Sequence, residues 1–145
     1  MSELPAIDAG YLQNLLVDLL NTPSPTGFAE KAIDVVDQAM QEFSFLSSTR
    51  TRKGALVTTW EGEADDAPRG LTAHADTLGA MVKEIKSNGR LKLTRIGGFA
   101  WNTVEGEGCT VFGSAGEVLR GSILLTKASG HVHGSKVNDL KRDDD

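Results

Sequence analysis

A chain of 145 residues with 39% hydrophobic and 24% charged residues has apolar material for one core or two small ones, in the range of ordinary globular proteins. Its formal net charge of −5 and pI near 5.2 offer no basic footprint for a phosphate backbone or an anionic bilayer, so neither nucleic acid nor membrane is an expected partner. Cys109 is the single cysteine and cannot form an internal disulfide. The amino terminus has neither the basic start nor the apolar run of a signal peptide. No stretch approaches the roughly 20 apolar residues that span a bilayer. A reducing cytoplasm is the expected location. A catalytic role for Cys109 would need a histidine beside it that sequence does not place.

Leu12, Leu15, Leu16, Leu19 and Leu20 recur at three- and four-residue spacing behind Asp8, a plausible N-cap. This spacing predicts an amphipathic helix over 9–21. The segment Asn21 to Gly27 holds two prolines and a glycine and must break that helix. Thr26 is placed to cap a second helix that runs to about Glu42. Phe28, Ala32, Val35, Val36, Ala39 and Phe43 form its expected buried stripe.

From Phe45 the period changes to that of strands. Phe45 to Thr51 and Ala55 to Glu61 are rich in β-branched and aromatic residues and flank Arg52, Lys53 and Gly54, a hairpin signal. After a polar loop from Glu61 to Pro68, Gly70 to His74 reads as a short strand ending at the histidine. Two helices followed by such strands fit one side of an α/β layer.

Beyond Asp76 no helical period returns, and glycines alternate with short β-like runs. Strands are expected near 80–86, 90–96, 109–112 and 118–125, with Asn88-Gly89 turning between the first two. This half resembles a small β-barrel, and the boundary falls near Thr77. The chain shows no internal repeat, and its last residues, Lys141 to Asp145, are a charged run that completes no predicted element.

The candidate chemistry centres on His74 and Asp76, two residues apart where a strand runs out. Residues i and i+2 of a strand share a face, so the two side chains would project together. A carboxylate beside a histidine fixes its tautomer and raises its basicity as a metal ligand. Against this stands the simpler reading of a surface histidine in a common tripeptide.

Three stretches in order are similar to the start of M42 family aminopeptidases. They are Thr22 to Gly27 before a helix, Ala73-His74-Ala75-Asp76 with Gly79 to Ile85, and Arg95-Ile96-Gly97-Gly98. The resemblance implies an α/β/α catalytic domain over 1–77, followed by an inserted, incomplete β-barrel dimerisation domain over 78–145. It also implies dimers that assemble into hollow dodecamers. It maps His74 onto a metal ligand and Asp76 onto the carboxylate that orients it. Thr77 stands where many members carry glutamate, which bears on subfamily and substrate preference. Members remove N-terminal residues from peptides with two divalent ions, usually zinc or cobalt, that activate a water. One histidine and its carboxylate fall short of the three protein ligands of a catalytic zinc centre. The chain is therefore expected to be an N-terminal portion, inactive alone.

His131 and His133, expected two apart on a strand, lie near Asp139 and Asp143 to Asp145 and could bind a metal in principle. A polar barrel loop is the plainer account of them. Trp60, Phe99 and Trp101 could form an aromatic binding surface, but packing explains them equally. Asp143 to Asp145 lack the glycine and distal glutamate of a calcium loop. Two other functions compete with the peptidase: a non-catalytic β-barrel module acting through self-association, and a glycan hydrolase. The latter needs a carboxylate pair that no residues here nominate.

Overall fold

The structure is a computed structural model that describes residues 6–64, 66–127 and 129–137. Two compact units part between Gly97 and Gly98.

In the first unit, helix α1 (Ala9–Asn21) begins where Asp8 accepts a bond from the backbone N–H of Tyr11, as the N-cap pattern requires. It ends at Thr22, whose hydroxyl turns back onto the Asp18 carbonyl at 2.7 Å. Helix α2 (Glu30–Gln41) starts from Ala29 without a side-chain cap. Thr26 is therefore not the expected N-cap; its hydroxyl is committed to Asp76. The apolar stripe of α2 is covered only in part. Ala32 and Ala39 are buried, Val35 and Val36 are half-buried, and Phe28 and Phe43 are exposed. Ala32 and Ala39 are the buried apolar side chains among the described residues, and the leucine face of α1 formed by Leu12, Leu16 and Leu20 lies open.

Strands β1 (Leu46–Arg50) and β2 (Leu56–Trp60) form the expected antiparallel hairpin, with Leu46 opposite Trp60 and Arg50 opposite Leu56. The hairpin packs against α2. Arg50 forks onto Asp34 at 2.8 Å and Asp37 at 3.1 Å, two carboxylates one helical turn apart on α2. Phe45 lies obliquely against Trp60 with ring centroids 5.2 Å apart, and both rings remain largely exposed.

Residues 70–76 pair with no strand, contrary to the short strand expected at Gly70 to His74. A strand needs a ladder partner, and here the only pairing nearby is a single parallel bridge of Thr77 to Pro25. Strands β3 (Gly79–Ile85) and β4 (Leu91–Ile96) follow as an antiparallel hairpin. The register jumps between Val82 and Glu84, so Lys83 is the extra residue of a bulge. Gly89 turns the chain at φ 80°, which explains the Asn-Gly pair.

The second unit holds one more antiparallel hairpin, β5 (Gly108–Phe112) with β6 (Val118–Ser122). Its ladder continues past β6 through bonds from Gly106 N–H to the Ile123 carbonyl and from Ile123 N–H to the Glu107 carbonyl. Phe99 and Trp101 meet edge to face at 5.4 Å. Cys109 is half-buried on β5. A single helical turn, α3 (Gly130–His133), corrects the expectation of a strand there. The described sheets are thus three separate two-stranded hairpins in a mixed helix and sheet chain.

Candidate functional site

The site is built where the turn after α1 lies against the segment before β3. Ser24 is 1% exposed. Its hydroxyl donates to the Ala75 carbonyl at 2.9 Å and lies 3.4 Å from the Thr77 hydroxyl. The Thr77 N–H in turn donates to the Ser24 carbonyl at 2.8 Å. Pro25 presses so closely on Gly79 that a Cβ added at Gly79 would sit 2.6 Å from the proline Cβ. Only a glycine admits this approach.

Clamped in this way, Asp76 meets two donors. Its Oδ1 lies 2.9 Å from His74 Nδ1, and its Oδ2 accepts from the Thr26 hydroxyl at 2.5 Å. A carboxylate only accepts, so Nδ1 carries the proton, and in the neutral ring Nε2 then keeps its lone pair. The His74 side chain is 84% exposed and that of Asp76 34%. The Thr26 hydroxyl and, after it, His74 hold the Asp76 carboxyl below its ordinary range, against a smaller opposing effect of desolvation than of the Thr26 bond. Thr26, His74, Asp76, Thr77, Leu78 and Gly97 line an open hollow of about 580 Å³.

Chemically this is a strongly exposed histidine with one ring nitrogen held by a carboxylate, which leaves the other for a further partner. That arrangement suits one position on a metal ion. Among the described residues no three His, Cys, Asp or Glu side chains gather as a metal-binding group, so none joins His74 and Asp76 in one. His131 and His133 share the turn of α3. At about 100° per residue, two helical positions two apart diverge by roughly 200°, so the shared face expected of a strand is lost. Asp139 and Asp143 to Asp145 lie outside the described residues.

Sequence reasoning found His74 and Asp76 but gave Ser24 and Thr26 no part in the site. The signal available was a run in which the hydroxyls of Thr22, Ser24 and Thr26 alternate with two prolines. Nothing local to that run says that it meets a residue 50 positions on.

Comparison with known proteins gives a consistent picture. The M42 glutamyl aminopeptidase family model matches residues 54–144. YhfE of Bacillus subtilis (strain 168) is 43% identical over 119 residues, which cover 82% of this chain and 34% of YhfE. SgcX of Escherichia coli (strain K12) is 32% identical over 111 residues, covering 74% of this chain and 29% of SgcX. Both relatives are provisionally named aminopeptidases. The chain spans about a third of the length of these curated relatives. The fold resembles the crystal structure of a TET aminopeptidase from the marine sediment archaeon Thaumarchaeota archaeon SCGC AB-539-E09. The TM-score is 0.74 at 20% identity, over 92% of this chain and 36% of that one. The resemblance carried by the Thr22 to Gly27, Ala73 to Ile85 and Arg95 to Gly98 stretches is borne out, and the chain belongs to the M42 glutamyl aminopeptidase family.

Proposed function

We propose that this chain supplies one metal ligand and its orienting carboxylate to an aminopeptidase that releases N-terminal residues from peptides. The observation that carries the reading is the bond between His74 Nδ1 and Asp76 Oδ1 at 2.9 Å, which engages one ring nitrogen and leaves Nε2 for a ligand on a side chain that lines the open hollow. Family membership supports the reaction class. Two divalent ions, zinc or cobalt, would polarise the scissile carbonyl and make water a nucleophile at neutral pH. Asp76 keeps the His74 ring in one tautomer and one orientation, and His74 offers Nε2.

No three metal-binding side chains gather among the described residues, so in this reading the chain alone would bind metal substoichiometrically and turn over no peptide. In the same reading residues 1–77 belong to an α/β/α catalytic domain. Residues 78–145 belong to a β-barrel insertion that joins subunits into dimers and dodecamers in the cytoplasm. The antiparallel hairpins after Thr77 and the structural likeness to a TET aminopeptidase support that part. A non-catalytic self-association module remains the second reading, favoured by the open leucine face of α1.

The test is metal content and hydrolysis of amino-acid anilides with added zinc or cobalt, on the complete natural protein and on its His74→Ala variant. The expected result is two metals and turnover in the former, with one metal lost and activity collapsed in the latter. Unchanged metal content in His74→Ala would sink the assignment.

A further inference from the structure

Thr26 lies outside the residues 54–144 that carry the family match, yet it makes a direct hydrogen bond to the candidate site. The two oxygens of Asp76 do different things. Oδ1 faces His74 Nδ1 at 2.9 Å, and Oδ2 accepts from Thr26 Oγ1 at 2.5 Å. A carboxylate held through one oxygen can still rotate about its Cβ–Cγ bond. Held through both, it has a fixed plane, and so does the imidazole that donates to it.

Thr26 can do this because its own backbone is fixed. Ser24 is buried and bonded to Ala75 and Thr77, Thr77 bonds back to Ser24, and Pro25 sits in the space left by the missing side chain of Gly79. Ser24 and Thr26 therefore have separate duties. Ser24 joins two backbone segments, whereas the Thr26 side chain is exposed and reaches only the carboxylate.

We propose that Thr26 is a positioning residue for His74: by fixing the rotation of the Asp76 carboxylate, its hydroxyl selects the Nδ1–H tautomer and the aim of Nε2. The consequence for metal affinity rests on the reading of His74 as a ligand; the consequence for the ring in metal-free protein does not. The effect is graded, because His74 Nδ1 also lies 3.2 Å from the Asp76 main-chain carbonyl, which restrains the ring when the carboxylate swings away. Loss of such an outer contact typically weakens metal binding by about 10- to 100-fold, and the second acceptor puts Thr26 near the lower end.

The experiment uses the complete natural protein and compares wild type with Thr26→Val, Thr26→Ser and Ser24→Ala. Long-range proton–nitrogen spectra of metal-free protein report the His74 tautomer, and chelator competition with zinc reports affinity. Thr26→Val keeps the shape and removes the donor. It should shift the ring from a pure Nδ1–H pattern to a mixed one and raise the zinc Kd roughly 10-fold, with only a small drop in thermal midpoint, because the Thr26–Asp76 bond is exposed. Thr26→Ser should restore both, and Ser24→Ala should lower the thermal midpoint instead. A wild-type ring spectrum in Thr26→Val, or failure of Thr26→Ser to rescue, overturns the proposal. A shifted ring with unchanged zinc affinity, beside a His74→Ala protein that keeps its metal, refutes the ligand reading while Thr26 still governs the tautomer.

Discussion

Replacing Gly79 with alanine asks whether the clamp around Asp76 depends on close approach of two backbones. The added Cβ would lie 2.6 Å from Pro25 Cβ and 3.2 Å from its Cγ, against about 3.5–4.0 Å for comfortable carbon contact. Pro25 is a ring with no rotamer to escape into, so the two segments must separate by about 1 Å. That shift is enough to stretch the 2.8 Å bond from Thr77 N–H to Ser24 out of range. Overpacking of this kind costs about 1–3 kcal/mol, while the entropy removed from the unfolded chain by a Gly to Ala change returns about 0.4–1 kcal/mol. The steric term wins, leaving a net loss of roughly 1–2 kcal/mol. Thermal unfolding of the complete natural protein should show a midpoint lowered by several degrees in Gly79→Ala. Gly70→Ala, where a Cβ meets nothing within 4 Å, should melt at or slightly above the wild-type midpoint. The same Gly79→Ala protein should bind zinc more weakly, because Asp76 moves with its segment. If it melts with wild type and keeps its zinc affinity, the clamp does not position the site.

Two further outcomes follow from individual contacts. The Asp76 carboxyl is held below its ordinary range, by Thr26 first and then by His74. Its contribution to stability is therefore complete above about pH 4, the ordinary aspartate value, and is lost as pH falls through the lowered one. Carbon NMR of metal-free protein should show Asp76 titrating at higher pH in Thr26→Val than in wild type, and identical curves would contradict the assigned cause. At the start of α1, Asp8→Ala removes the acceptor for Tyr11 N–H and should cost about 0.5–2 kcal/mol, with Asp8→Ser largely sparing it. Urea unfolding followed by ellipticity checks this, and equal midpoints for Asp8→Ala and wild type would show that the cap contributes nothing.

Much of the local structure was legible because it depends on neighbours in the chain. Asp8 caps its own next turn, Asn88-Gly89 supplies the positive φ that its own hairpin needs, and the alternation in 46–60 folds onto itself. The family was legible for a related reason, since the resemblance rests on three short stretches, Thr22 to Gly27, Ala73 to Ile85 and Arg95 to Gly98, whose order and spacing can be read without any structure. Where the reading went astray, the deciding contact was distant. Thr26 looks like a helix cap when only the next residues are considered, yet α2 starts three residues later from Ala29, and the Thr26 hydroxyl donates instead to the distant Asp76 carboxylate. Gly70 to His74 has strand-like composition, but a strand exists only with a ladder partner, and 70–76 pairs with none among the described residues. His131 and His133 suit a metal on a strand and diverge on the helical turn they adopt.

By itself, the sequence determined the two long helices and the hairpins, which follow from propensity and spacing within a few residues, while the candidate ligand was named through the family resemblance. Only the tertiary structure decided that the proline turn at 23–25 is bolted to 75–79, and that Asp76 is held on both oxygens. The physical reason is that such contacts join residues about 50 positions apart. Their energy comes from desolvated hydrogen bonds and close packing, which exist only once the chain has closed on itself.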